Sequence, residues 1–182
     1  MKVFCINGIS LSGKDTFVKC VQELLGFDKV GNISTIDPVK VEYKNFFGWE
    51  GEKTPIHRKN LNTLKNIWRE TSNGPINWSR YQMNIEYIIN QRDVLFIMVR
   101  EFDEMLDLVK LAVSIGYVAF TLQVVRDGLD IPPVEQEFLD SHPKDFKYDI
   151  TISNPTVDTF PDVPKLKQSA YDFIQTFLNM RN

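Results

Sequence analysis

The chain has 182 residues, 43% of them apolar, and a formal net charge of -3. That length and apolar content suit one domain, residues 1–182, with a sizeable core, and argue against two domains. The acidic balance excludes the global basic field by which nucleic-acid polymers are bound, so any polyanion must be met by local lysines and arginines.

Val3, Phe4, Cys5 and Ile6 form an apolar strand that runs directly into the segment GISLSGKDT, Gly8 to Thr16. A strand that ends in a glycine-rich turn and opens a helix aims several N–H groups and the helix dipole's positive end at one spot, where phosphate belongs. Gly8 and Gly13 bracket four residues and Lys14 follows, which is the spacing of a phosphate-binding loop. The Ser or Thr that usually follows the lysine is Asp15 here, and the hydroxyl comes one residue later at Thr16. Asp15 either faces outward or reaches Mg²⁺ through water.

Phe17, Val18, Val21, Leu24 and Leu25 recur at helical spacing before Gly26 stops the helix. Val30 to Ile36 is a strand candidate closed by Asp37-Pro38. Thr54-Pro55 starts a helix with Leu61, Leu64, Ile67 and Trp68 on one face, and Asn73-Gly74-Pro75 ends it. A second helix carries Trp78, Tyr81, Ile85, Ile88 and Ile89 on one stripe, so two helices form an insertion between strands. Val94 to Val99 is an uninterrupted apolar run, as suits a central parallel strand covered on both faces. Phe102 to Val113 follows as a helix closed by Gly116, and Tyr117 to Val125 as another strand. Residues 127–147, with Pro132, Pro133 and His142-Pro143, read as a mobile connection around a short helix. Ile150 to Ser153 is the last strand. Pro164 opens a terminal helix that buries Leu166, Ala170, Phe173, Ile174 and Phe177.

Strands alternating with helices imply right-handed parallel crossovers and a three-layer α/β/α fold around a five-stranded parallel sheet. The site of such a sheet lies at the strands' carboxyl ends. There the topology gathers the loop, Asp37, Arg100 with Glu101, Arg126 with Asp127, and Asn154. Cys5 and Cys20 belong to no CxxC or His-rich cluster and read as buried free thiols. His57 and His142 are isolated and read as surface residues. With no evident leader and no apolar run of about 18 residues, the expectation is a soluble cytoplasmic protein without a membrane partner.

These residues resemble the nucleoside monophosphate kinases of the P-loop class, in particular the phage-type deoxynucleoside monophosphate kinases. The loop ending Gly13-Lys14-Asp15-Thr16 carries the likeness; Ile36 to Lys40, Arg58 to Thr71, Arg100-Glu101 and Asp149 to Asn154 are shorter matches. The resemblance implies a P-loop kinase with ATP and Mg²⁺, a nucleoside monophosphate acceptor, a helical acceptor-binding insertion at about 38–92 and a short lid at about 127–147. Two departures stand out. Val99 occupies the strand end where a metal-linked Asp is common, and no arginine follows Arg126 in the lid segment.

Phosphoryl transfer needs two anions aligned and their charge neutralised, so cations are the residues to seek. Gly8, Ser10, Leu11, Ser12, Gly13, Lys14, Asp15 and Thr16 would hold the ATP phosphates, with Lys14 bridging the outer two. Arg126 would swing onto the transferred group as a clamp. Asp37, Lys40, Arg58, Arg69 and Arg100 would serve the acceptor, with Arg80 a further insertion arginine; Asp37 equally suits an Asx turn before Pro38. Asp15 and Glu101 would position the metal through water. Tyr43, Phe46, Phe47 and Trp49 could stack on an acceptor base, although packing of the insertion is the commoner use of such a cluster. The loop reads only the donor. A kinase of another small metabolite and a nucleotide-binding regulatory protein without transfer therefore stay open, as does a homodimer.

Overall fold

A computed structural model describes residues 1–52, 54–126, 143, 145–157, 160–161 and 163–178. The apolar runs near the N-terminus and in mid-chain become β1 (Lys2–Asn7) and β3 (Val94–Met98), which pair in parallel with Phe4 opposite Phe96. β2 (Val30–Ser34) flanks β3, while β4 (Val118–Val125) and β5 (Ile150–Ser153) extend the other side, giving a parallel sheet in the order β2-β3-β1-β4-β5. β1 sits at the centre, so the loop that follows it opens in the middle of the sheet's carboxyl edge.

Side chains alternate across a strand, and the two faces of the sheet build two separate cores. Phe4, Ile6, Phe96 and Met98 point to one side, where α1 (Lys14–Leu25) and α6 (Val163–Phe173) pack with Phe17, Leu166 and Phe173. The Phe4 and Phe173 rings meet edge to face at 4.9 Å, a favoured aromatic geometry. Val3, Cys5, Leu95 and Ile97 point to the other side, against α4 (Gly74–Asn84) and α5 (Phe102–Ser114) with Ile76, Met83, Met105 and Leu108. The expected three-layer α/β/α arrangement and five parallel strands are present. Both cysteines are buried and unpaired.

The region between β2 and β3 differs from expectation. It holds three helices, because α2 (Asp37–Phe47) forms where Asp37-Pro38 reads only as a strand end, and α3 (Pro55–Ser72) and α4 follow. Proline is tolerated in the first helical turn, and a helix that buries only Val39 and Tyr43 has too little apolar rhythm to announce itself. α3 buries Leu61 and Lys65, leaving Ile67 exposed rather than in the predicted stripe. α4 buries Ile76, Ser79 and Met83, whereas Tyr81, Ile88 and Ile89 of its predicted stripe are 62%, 67% and 70% exposed. The cause is local. Gly74 lies so close under Trp68 that a Cβ there would fall 2.0 Å from the indole, and Ile85–Ile89 winds as a π turn, whose extra residue per turn rotates the stripe. The terminal helix buries Leu166, Ala170 and Phe173 as its spacing predicts, with Ile174 buried in the π turn that continues it. Most of the predicted lid, residues 127–142 and 144, lies outside the described residues.

Candidate active site

The glycine-rich loop between β1 and α1 is shaped by backbone that only glycine takes easily. Gly13 has φ 99°, and a Cβ there would stand 2.6 Å from Asn154 Nδ2; at Gly8 a Cβ would stand 2.5 Å from the Val124 carbonyl oxygen. Leu11 at the tip also has positive φ, 64°, with its side chain 75% exposed. Strain of this kind persists where surrounding contacts hold it. Two such contacts come from neighbouring strand ends. The fully buried Asn154, after β5, donates Nδ2 to the Ser12 carbonyl at 2.8 Å, and Arg126, after β4, donates Nη1 to the Leu11 carbonyl at 3.1 Å. Lys14 folds back over the loop and donates to the carbonyls of Gly8 at 2.6 Å and Ile9 at 2.8 Å. These carbonyls hold the ammonium beside the N-terminus of the twelve-residue α1, where an anion would be stabilised.

A cleft of about 670 Å³ separates the loop from the helical insertion. Ser10, Lys14, Asp15 and Thr16 form one wall, Lys40, Trp49 and Arg58 the other, and Arg100 and Arg126 also line it. Arg58 Nη1 reaches across to the Ser10 hydroxyl at 3.5 Å. An adjoining pocket of about 210 Å³ runs under the ends of β2 and β3, bordered by Ser34, Thr35, Asn62, Lys65, Arg100 and Glu101 as well as Gly8, Ser10 and Lys14. Of the positions expected to converge at the strand ends, the loop, Arg100 and Arg126 line the cleft and Asn154 touches the loop, while Asp127 lies outside the described residues. Asn7, the last residue of β1, donates Nδ2 to the Arg100 carbonyl at 3.0 Å, tying the exits of β1 and β3 together.

Not every predicted site residue faces this space. Arg69 lines neither cavity; its guanidinium pairs with Asp103 at the start of α5. Burial, the largest single influence, would raise the Asp103 carboxyl, but the hydrogen bond and charge of Arg69 together with backbone N–H donors outweigh it and leave it below the ordinary range. Arg80 is exposed on α4. Arg126, expected as a mobile clamp, does line the cleft but is 6% exposed with Nη1 bound to the loop. Asp37 opens α2, accepts the Ser34 N–H at 2.8 Å and pairs with Lys40 at 2.9 Å; its side chain reaches back to the end of β2 rather than forming the Asx turn that was its other reading. The aromatic cluster divides. Tyr43 is buried with Trp49 packed against it, whereas Phe46 and Phe47 are exposed. His57 is not an isolated surface residue; its Nδ1 lies 3.0 Å from the Tyr43 hydroxyl, and its ring packs edge-on against Tyr43.

Asp15 is exposed on the cleft wall, and the Glu101 carboxylate is paired with Lys65. Among the described residues no cluster of three His, Cys, Asp or Glu side chains forms a metal cage. An exposed carboxylate beside the loop, as at Asp15, is the donor type that suits Mg²⁺, which keeps several waters and takes its remaining ligands from phosphates.

Sequence reading missed Lys65 and Glu104. Lys65 is 3% exposed, paired with Glu101 and 3.0 Å from Oε1 of the fully buried Glu104. Burial lifts the Glu104 carboxyl above the ordinary glutamate range, against the opposing pull of the Lys65 ammonium and the Thr35 hydroxyl. One signal was available: Lys65 and Arg69 share a helix face at i, i+4, and Glu101 and Glu104 sit at i, i+3.

No protein-family model matches the sequence, and no curated protein matches it. Solved structures do match. The chain aligns over 96% of its length with 98% of the APS kinase CysC of Mycobacterium tuberculosis in complex with AMPPNP and APS, at 11% identity and a TM-score of 0.52. It aligns over 96% of its length with 95% of an unliganded sugar kinase from Janibacter, at 11% identity and a TM-score of 0.51. The chain has the P-loop NTPase fold. In this fold the segment from Gly8 to Thr16 forms the turn after the central strand and the first residues of the helix that follows. No helix among the described residues is long and apolar enough to cross a membrane.

Proposed function

We propose that this protein is an ATP-dependent kinase that transfers the γ-phosphoryl group to a nucleoside or deoxynucleoside monophosphate. The observation that carries this reading is the cleft, in which a phosphate loop faces a second set of cations, Arg58, Lys40 and Arg100, with Trp49 as an aromatic wall. A donor bound by the loop and an anionic acceptor bound opposite it would meet across one short gap, which Arg58 already spans to Ser10. A solved relative of this fold, the APS kinase, holds AMPPNP and APS in one complex, in keeping with two ligands on this architecture.

The chain's own residues have limited tasks, because phosphoryl transfer asks for alignment and charge rather than covalent chemistry. The loop amides hold the donor phosphates, and Lys14 exchanges the Gly8 and Ile9 carbonyls for phosphate oxygens. Arg126 and Asn154 keep the loop in its strained shape, which spares reorganisation when the anion arrives. Arg58 and Arg100 orient the acceptor with planar, two-pronged contacts. Asp15, through water, and Thr16 would hold Mg²⁺, which would supply neutralisation of the phosphates' charge; Glu101, engaged by Lys65, ranks behind them.

A second reading has its own observation. Ser34, Thr35 and Asn62 give the smaller pocket neutral hydrogen-bonding groups that suit a hydroxyl acceptor, as in a kinase of another small metabolite. Incubation with ATP, Mg²⁺ and a panel of monophosphates and hydroxylated metabolites, with ADP and product measured together, decides. Diphosphate product from a monophosphate is expected. Transfer only to a hydroxyl acceptor selects the second reading, and saturable ATP binding without any transfer selects a regulatory nucleotide-binding protein.

A further inference from the structure

Lys65 is placed where neither stability nor the phosphate loop demands a lysine. It is buried on α3, paired with Glu101 and 3.0 Å from Glu104, while the apolar Ile67 two positions along the same helix is left 52% exposed. A well-packed apolar side chain would hold α3 to α5 as well as a buried ion pair does, because desolvating the charges offsets most of their attraction. The pocket beside Lys65 gives the lysine another use. Its charged lining is Lys14, Lys65 and Arg100 against Glu101, and Glu104 stands directly behind Lys65. Without the lysine, the Glu101 carboxylate, with the acidic Glu104 behind it, would face the cations that an anionic ligand has to meet.

We propose that Lys65 is a positioning residue of the acceptor site, which masks Glu101 and Glu104 so that Arg100 presents a net positive surface to the acceptor's anionic group while Lys14 serves the donor. This deepens the kinase reading and rests on its anionic acceptor. It also makes Lys65 a determinant of acceptor choice: the mask matters for a phosphate-bearing acceptor and is nearly irrelevant to a neutral one. The effect passes through the two glutamates, so it is cancelled when they are made neutral, which a purely mechanical strut would not be.

The test is equilibrium dialysis of radiolabelled inorganic phosphate against protein saturated with AMPPNP to occupy the loop, with melting temperature measured for each variant. Lys65→Met is expected to weaken phosphate binding roughly tenfold, the size of one charge at near distance in a partly screened site. Lys65→Arg retains binding, and Lys65→Met combined with Glu101→Gln and Glu104→Gln recovers most of it. Unchanged binding in Lys65→Met, a loss that the triple variant does not recover, or no phosphate bound by the unaltered protein overturns the proposal. If Lys65→Met does not fold, Glu104→Gln alone decides, since with the lysine retained it must tighten phosphate severalfold, and unchanged or weaker binding is fatal. The kinase reading fails or stands separately, on product from the monophosphate panel. An inactive protein with this binding pattern keeps the masking role, and an active one without it loses that role.

Discussion

At the scale of single residues, Lys14 and Gly13 make different demands of the same loop. Lys14 brings a charge, so Lys14→Ala should leave the melting temperature close to that of the unaltered protein and lower turnover by about 100-fold or more, as removal of a charge that stabilises the transition state does. Initial rates under saturating ATP check this. Gly13 provides space, and at φ 99° with Asn154 Nδ2 in the way, Gly13→Ala should cost about 1–3 kcal/mol in a urea titration and weaken ATP binding with it. Glu104 and Asp103 are neighbours that respond to pH in opposite directions. Glu104 is raised by burial, so its contribution to stability is complete below the unfolded-state value, about 4.3, and is lost as pH rises through the raised folded value. Asp103 is lowered overall, burial being outweighed by the hydrogen bond and charge of Arg69 and backbone N–H donors together, so its contribution is present above about 3.9 and is lost as pH falls through the lowered value. Melting curves across pH should therefore show Glu104→Gln gaining on the unaltered protein as pH rises through the Glu104 window, and Asp103→Asn losing ground to it except at the acid end.

At the scale of elements, α2 and α3 depend on one another. Tyr43 of α2 is buried, its hydroxyl lies 3.0 Å from His57 Nδ1, and it accepts a hydrogen bond from Asn60 Nδ2 at 3.0 Å, both on α3. Tyr43→Phe removes those bonds without changing the packing and should lower stability by about 1 kcal/mol, measurable by denaturant titration. The same elements mark where sequence is legible. α1, α5 and α6 each lie along the sheet with one face down, and their apolar spacing can be read directly. α2, α3 and α4 bury short, mixed faces that include Lys65 and Ser79, so residue type is a poor guide to which side is inside. Arg69 illustrates the cost: it shares α3 with Arg58, yet Arg58 reaches Ser10 while Arg69 is taken by Asp103.

At the scale of the whole molecule, stability is distributed unevenly. The sheet and its two covering layers hold the large cores, while α2 and α3 rest on a small cluster of Val39, Tyr43 and Leu61. Amides in α2 and α3 should therefore exchange with deuterium well ahead of those in β1 and β3, and a bound acceptor should slow the insertion more than the sheet; equal exchange in both regions would contradict this. An insertion that yields first is suited to admitting a ligand between itself and the loop.

The sequence alone determined the glycine-rich loop, the parallel strands and the crowding of polar residues at their carboxyl ends, because each depends on local chemistry: glycine at strained backbone, apolar runs buried on two faces, and chain direction. Tertiary structure decided which face of α3 and α4 turned inward, that Asn154 and Arg126 brace the loop, and that Lys65 is buried between Glu101 and Glu104. Those outcomes depend on partners far away in the chain. Spacing along one helix records its own periodicity but not what a neighbouring helix brings against it.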